Sequence, residues 1–138
     1  GLDRMFLAVF SNSLQEEALE NGTTRTVLKL PAVLAPVKAA IFPLVKKDSL
    51  PQVAREIIED LKWDFNVFYD EKDAVGKRYR RQDAAGTPFC ITVDHQTKED
   101  KTVTIRHRDT MEQKRVAIAD LKEIIKAEVA VKTWLQKI

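Results

Sequence analysis

The sequence is short of the residues that support covalent or metal chemistry. Its 138 residues hold one cysteine, two histidines and four glycines. One cysteine excludes an internal disulfide, and with two histidines it makes no plausible zinc site. A strand position suggests that Cys90 is simply buried. The glycines form neither a G-x-G-x-x-G run nor a phosphate-binding loop. Ser, Cys and His are scattered without the spacing of a nucleophile and its base. Acidic residues are frequent but fall in loops and on helix surfaces, so paired-carboxylate catalysis has no specific support. Apolar runs fall far short of the roughly 20 residues of a membrane span. No signal peptide is read at the start, and the expected compartment is the cytoplasm. An excess of one charge is lacking too: 23 Lys and Arg face 21 Asp and Glu, for a net charge of +2. Any affinity for nucleic acid must therefore come from clustered cations.

What the chain does have is 44% hydrophobic and 32% charged residues. That suits one globular domain with a short extension. The stretch from Gly76 to Cys90 organises it. Lys77, Arg78, Arg80 and Arg81 flank Tyr79, and Gly86 is placed to end a helix over 74–84 in the left-handed conformation. The cations are expected mostly on its outer surface. Thr87-Pro88 then leads into an apolar strand, a position where proline is tolerated. A merely solvated basic helix is the plainer reading of such a run.

Upstream, Leu2, Met5, Phe6, Val9 and Phe10 recur at helical spacing and Leu14 extends the stripe. Residues 1–20 are expected as an apolar helix that packs on something outside the domain. Asn21-Gly22 marks a turn, and 23–36 reads as an extended linker. Residues 37–45 are nearly all apolar, as in a strand buried on both faces. Ser49-Leu50-Pro51-Gln52 has capping-box spacing, and Leu50, Val53, Ala54, Ile57, Ile58 and Leu61 mark one helix face. Residues 65–69 form a second strand, closing a parallel β-α-β unit. Phe89, Ile91 and Val93 alternate with Cys90, Thr92 and Asp94 on a third strand, and Phe89 is expected in the core. Residues 95–101 read as a polar connection, 103–108 as a fourth strand and 115–118 as a short fifth. A final helix starts near Asp120 and runs through Leu135 to Ile138. The fold class is α/β: three layers, α/β/α, with a mixed sheet of about five strands.

On alternating strands Thr92, Asp94, Thr104, Arg106 and Arg108 share one polar sheet face. Arginine offers a planar fork to bases or phosphates, and aspartate accepts from a cytosine amino group. Single-stranded RNA is what such a face can read. Mutual neutralisation of these charges across strands fits the pattern equally well.

The runs Gly-Lys-Arg-Tyr-Arg-Arg-Gln-Asp-Ala-Ala-Gly-Thr-Pro-Phe-Cys (76–90) and Thr-Val-Thr-Ile-Arg-His-Arg-Asp-Thr-Met-Glu-Gln (102–113) resemble the C-terminal anticodon-binding domain of dimeric, class II glycyl-tRNA synthetases. Leu34 to Lys38 and Pro43 to Lys47 resemble the start of that domain, and the similarity spans residues 26–118. Gly1-Leu2-Asp3-Arg4 resembles the end of motif 3 of the catalytic domain. The resemblance therefore implies that residues 1–22 are a remnant of that catalytic domain and 23–138 the anticodon-binding domain.

It implies further that the full-length enzyme makes glycyl-tRNA from glycine, ATP and tRNA, using Mg²⁺. Arg4 would hold ATP only in that full-length form. The chain by itself is expected to contain no catalytic residue and to need no cofactor or metal. The expected partner is the glycine tRNA, with no DNA and no membrane. The whole enzyme is expected as a homodimer and this chain, without motifs 1 and 2, as a monomer. Glycine codons begin with two guanines, so the middle and third anticodon bases are cytosines. Asp94, Thr104, Arg106 and Arg108 are the expected base readers, and Lys77, Arg78, Arg80 and Arg81 the expected phosphate contacts. Arg81 has a second reading, as an anchor holding the helix to the sheet. An accessory interaction domain that reuses the fold is the alternative function, and Arg4 argues against it. A free-standing small α/β enzyme is disfavoured by the missing phosphate loop and nucleophile.

Overall fold

A computed structural model describes residues 13–130, together with Arg4 and Leu135. The helical stripe from Leu2 to Phe10 and most of 131–138 lie outside the described residues. The first described element corrects two expectations. Residues Leu14–Ala18 (β1) and Thr24–Leu28 (β2) form an antiparallel hairpin, paired from Leu14↔Leu28 to Ala18↔Thr24. Leu14, expected on a helix, is an exposed strand residue, and the segment read as linker contains β2. In β2, Arg25 and Val27 point inward while Thr24 and Thr26 stay exposed. That is strand alternation, but its inward residue is an arginine, so hydrophobicity does not reveal it. The Asn21-Gly22 turn is as expected: Gly22 has φ +84, and Asn21 Oδ1 accepts from the Thr23 amide at 3.1 Å.

A five-stranded sheet follows. Its strands are β3 (Ala39–Pro43), β4 (Val67–Tyr69), β5 (Phe89–Val93), β6 (Thr102–His107) and β7 (Gln113–Ala117), in the order β4-β3-β5-β6-β7. Strand β3 pairs in parallel with β4 and β5, whereas β5–β6 and β6–β7 are antiparallel. All five residues of β3 are buried, as its unbroken apolar run requires. Helices α1 (Leu50–Leu61), α2 (Val75–Ala85), α3 (His95–Asp100) and α4 (Leu121–Val129) complete the domain.

One sheet face carries Ile41, Ile91, Val93, Val103 and Ile105 against Leu50, Ala54, Ile57 and Leu61 of α1 and Leu121 and Ile125 of α4. The other carries Ala40, Phe42 and Cys90 against Val75 and Tyr79 of α2. The three-layer α/β/α reading holds, with unequal layers. Helix α2 covers β3 and β5, while Gln113 and Arg115 of β7 remain exposed on that side. Phe89 is 4% exposed and meets His107 edge-on at 5.3 Å, so it belongs to the core. Cys90 is equally buried, and desolvation pushes its thiol up to about 12, which makes it inert.

The caps differ from expectation. Ser49 has φ 63 and makes no side-chain cap bond, because a capping side chain reaches the N3 amide from extended backbone. The capping box sits on α3 instead: Asp94 Oδ1 accepts from the Thr97 amide at 3.1 Å, and Thr97 Oγ accepts from the Asp94 amide at 3.1 Å. A six-residue polar helix has no apolar stripe, so the sequence shows only a polar connection there.

Gly86 closes α2 with φ +84, and the Thr87 amide donates to the Gln82 carbonyl at 3.0 Å. A Cβ at Gly86 would stand 3.1 Å from Cδ2 of Leu28 on the hairpin. Gly86→Ala is therefore expected to cost at least the roughly 1–2 kcal/mol of left-handed backbone at a non-glycine residue. Urea denaturation reads this as a lower midpoint at unchanged slope. An unchanged midpoint would contradict the assignment.

Candidate nucleic-acid interface

Helix α2 delivers its side chains in three directions. Tyr79 faces the sheet: its hydroxyl lies 2.8 Å from Thr92 Oγ, and its ring packs at 5.8 Å against Phe42. Burial raises the Tyr79 phenol above its ordinary value, so it stays protonated. Arg78 turns inward as well. It is 3% exposed and donates to the carbonyl oxygens of Pro43, Glu71, Lys72 and Asp73. The four carbonyls tie the loop after β4 to the end of β3. Arg78 is thus a brace, and the expectation that it faces phosphate is corrected by its burial. Lys77, Arg80 and Arg81 are exposed. Arg81 reaches Asp70 at 2.8 Å and Asp73 at 2.9 Å, holding the same loop to the helix.

Between α2, β6 and the hairpin lies Asp83, with no exposed surface. Arg106 of β6 donates to both its oxygens, at 2.8 and 3.1 Å. Arg25 of β2 reaches it at 3.0 Å and Arg80 at 3.2 Å. Arg25 also donates to Glu17 and to the Arg108 carbonyl, and Lys29 pairs with Glu17 at 2.5 Å. Two carboxylates therefore face Arg25, Arg80, Arg106 and Lys29, an excess of positive charge. Arg80, with a side chain 43% exposed, is its most exposed member, ahead of Glu17 and Lys29.

The two arginines expected as base readers are both interior. Arg106 shares its sheet face with Cys90 and lies 4.8 Å over the Tyr79 ring, at 3% exposure. Arg108 donates to the carbonyls of Gly86 and Leu30 and to Asp109. A guanidinium under a helix is stable only when paired, and these two are. Their donors point into the protein, so the expected face loses both. Asp94 is half-buried with both oxygens engaged, one at the α3 cap and one on Arg115.

What stands on the open face is Thr104 together with two residues that sequence reasoning missed. Cross-strand register sets Thr92, Thr104 and Arg115 in one row, and Cys90, Arg106 and Gln113 in the next. Gln113 and Arg115 are exposed. The missed signal was alternation along β7, which puts Gln113, Arg115 and Ala117 opposite Arg106, Thr104 and Thr102.

Residues 38–128 match the family described as the anticodon binding domain. The chain belongs to that family. Among its relatives, a glycine–tRNA ligase of Rhodopirellula baltica is 56% identical over 137 residues, covering 96% of this chain and 26% of the relative. Glycine–tRNA ligases of Borrelia garinii subsp. bavariensis and Geobacillus thermodenitrificans are 53% and 52% identical, each over 94% of this chain. The chain spans only 29% and 28% of those two proteins. A solved prolyl-tRNA synthetase from Cryptosporidium parvum, complexed with L-proline and AMP, shares the fold with TM-score 0.67 at 21% identity. That match covers 80% of this chain and 25% of that one. The RNA binding domain of threonyl-tRNA synthetase from the same organism gives 0.65 at 23%, over 72% of this chain and 25% of that one.

In this anticodon-binding domain the folded unit exceeds the family match, because Arg25 of the hairpin is bonded to Asp83 within it. Asp83→Asn is expected to strand two buried guanidinium groups and cost about 3–5 kcal/mol in chemical denaturation. A loss below 1 kcal/mol would show that the cluster is not a stability element. The pH dependence has a definite sign. Lys29 and Arg25 hold the Glu17 carboxyl below its ordinary value. Burial pushes Asp70 up, but the Arg81 bond and the Lys72 amide outweigh it and leave Asp70 lowered. Carboxylates depressed in the folded state add stability above their unfolded values of 4.5 and 3.8 and lose it as pH falls through the folded ones. Asp70→Asn is expected to lower stability at pH 7 and to flatten the acid limb of a stability–pH curve. An acid limb as steep as the wild type's would refute this.

Proposed function

We propose that this chain holds the anticodon stem and loop of the glycine tRNA, as the C-terminal part of a glycine–tRNA ligase. The observation that carries the proposal is 56% identity over nearly the whole chain to a protein of that name, joined to an open sheet face beside exposed cations. The full-length protein would make glycyl-tRNA from glycine, ATP and tRNA, as a homodimer in the cytoplasm. Among the described residues no helix is long and apolar enough to cross a membrane. The accessory-domain alternative is less well supported, since the relatives above are named as ligases.

ATP and Mg²⁺ enter only through the longer enzyme. Arg4 is exposed, and among the described residues no three His, Cys, Asp or Glu side chains converge as a metal site.

In this proposal Lys77 and Arg80 meet phosphates, giving salt-dependent affinity with little sequence information. Thr104 and its neighbours on β6 and β7 meet bases splayed from the loop. The test is titration of the chain with a glycine-tRNA anticodon stem–loop, beside one whose two anticodon cytosines are replaced. Binding is expected to fall more than about tenfold, or about 1.4 kcal/mol. Equal binding to both RNAs would reduce the domain to a phosphate platform. Lys77→Ala should weaken both RNAs alike and lower the salt slope by about 0.7–0.9.

Gly76 supplies an independent check. It is helical and exposed, lies one turn from Arg80 on the same helix flank, and has nothing within 4 Å of a Cβ built on it. Neither backbone conformation nor internal packing accounts for a glycine there, whereas close approach of an RNA backbone does. Gly76→Ala is expected to stabilise the free protein by roughly 0.5–1 kcal/mol while weakening RNA binding. Unchanged affinity would remove Gly76 from the interface.

A further inference from the structure

We propose that Arg115, aimed by Asp94 and Thr102, is the donor fork that selects an anticodon cytosine, with Gln113 as its companion acceptor. This rests on the anticodon reading above and assigns that reading's specificity to residues other than Arg106 and Arg108. Arg115 stands on the outermost strand, in the row of Thr104 and Thr92 on the face that α2 leaves open. Its Nη1 donates to Thr102 Oγ at 2.9 Å and to the Thr102 carbonyl at 3.2 Å, and its Nη2 pairs with Asp94 Oδ2. Asp94 is itself anchored, since its Oδ1 accepts from the Thr97 amide and hydroxyl at the α3 cap. The guanidinium is therefore held from two elements while its side chain stays 28% exposed.

Those bonds leave the Nε hydrogen and the second Nη2 hydrogen without a partner among the described residues. The Nε hydrogen and the Nη2 hydrogen beside it form a parallel donor pair along one edge of the guanidinium, and in this assignment Asp94 takes the other Nη2 hydrogen. Cytosine presents two adjacent acceptors, its carbonyl oxygen and ring N3, next to an exocyclic amine. Uracil carries a hydrogen on N3, so the same fork meets a donor there. Gln113 lies two residues along the strand on the same face, roughly 6–7 Å away. In this proposal its carboxamide oxygen accepts from the cytosine amine. Arg106, paired with Asp83 and 3% exposed beneath Tyr79, has no edge open to a base. Asp94 acts here as a positioning residue, orienting a donor without itself touching the base.

The test uses the full chain and three stem–loops: the glycine anticodon, and two in which the middle or the third cytosine alone becomes uracil. Arg115→Lys keeps the charge but removes the fork. It is expected to reduce cytosine-over-uracil discrimination at one of the two positions by about five- to a hundredfold, the range of one bidentate contact. Its melting temperature should stay close to that of the wild type. Asp94→Asn preserves helix capping, since asparagine caps as well as aspartate, yet loosens the ionic hold on Arg115. It should lose discrimination at the same position. A brace with only a structural role would weaken all three RNAs equally and leave the ratios alone. Wild-type ratios in both variants would overturn this proposal and leave the anticodon reading standing. A wild-type chain that binds all three RNAs equally would overturn both.

Discussion

The structure depends on one carboxylate. Asp83 sits without solvent exposure where the hairpin, α2 and β6 meet, and arginines from all three converge on it. In that setting each partner is held by what its loss would expose. An arginine without Asp83 would be a buried charge, and Asp83 without arginines would be another. The hydrophobic layers are ordinary: aliphatic side chains of α1 and α4 on one face, and a thinner patch under α2 on the other. The thin patch cannot by itself fix where α2 lies. The polar cluster fixes it, together with the Arg78 brace on the carbonyls of the preceding loop.

This division of labour explains why basic residues mean different things in one short helix. Arg78 and Arg81 organise the loop, Arg80 is half committed to Asp83, and Lys77 is exposed. The interior holds more guanidinium groups, those of Arg25, Arg78, Arg106 and Arg108, than the carboxylates of Asp70 and Asp83 buried with them. Arg80 belongs to both the interior and the surface, since its side chain is 43% exposed while it pairs with the buried Asp83.

The sequence was a good guide to whatever is carried by apolar pattern. The doubly buried β3, the Phe89–Val93 alternation, the face of α1 and the glycine stop of α2 all appear where hydrophobic period and backbone chemistry put them. It was a poor guide where polar groups do the structural work. Strand β2 buries an arginine, α3 is a short polar helix, and the capping box lies on Asp94 instead of Ser49. For the site, the alternation of β6 placed Thr104 and Arg106 on the same face. It could not show that α2 would cover Arg106 and leave Thr104 near the opening. A charged residue's type says that it needs a partner but not which one. Only the fold pairs Arg106 with Asp83 and Asp94 with Arg115.

The span of Arg25 in sequence has a consequence for how such a chain is made. The hairpin can close on itself early, since its strands are joined by a tight Asn-Gly turn. Its buried guanidinium, however, bonds to a carboxylate 58 residues later and to a carbonyl 83 residues later. During synthesis from the N-terminus those partners emerge long after the hairpin does. Docking of the hairpin is therefore a late event that waits for β6, and until then Glu17 on the neighbouring strand is the partner within reach of Arg25.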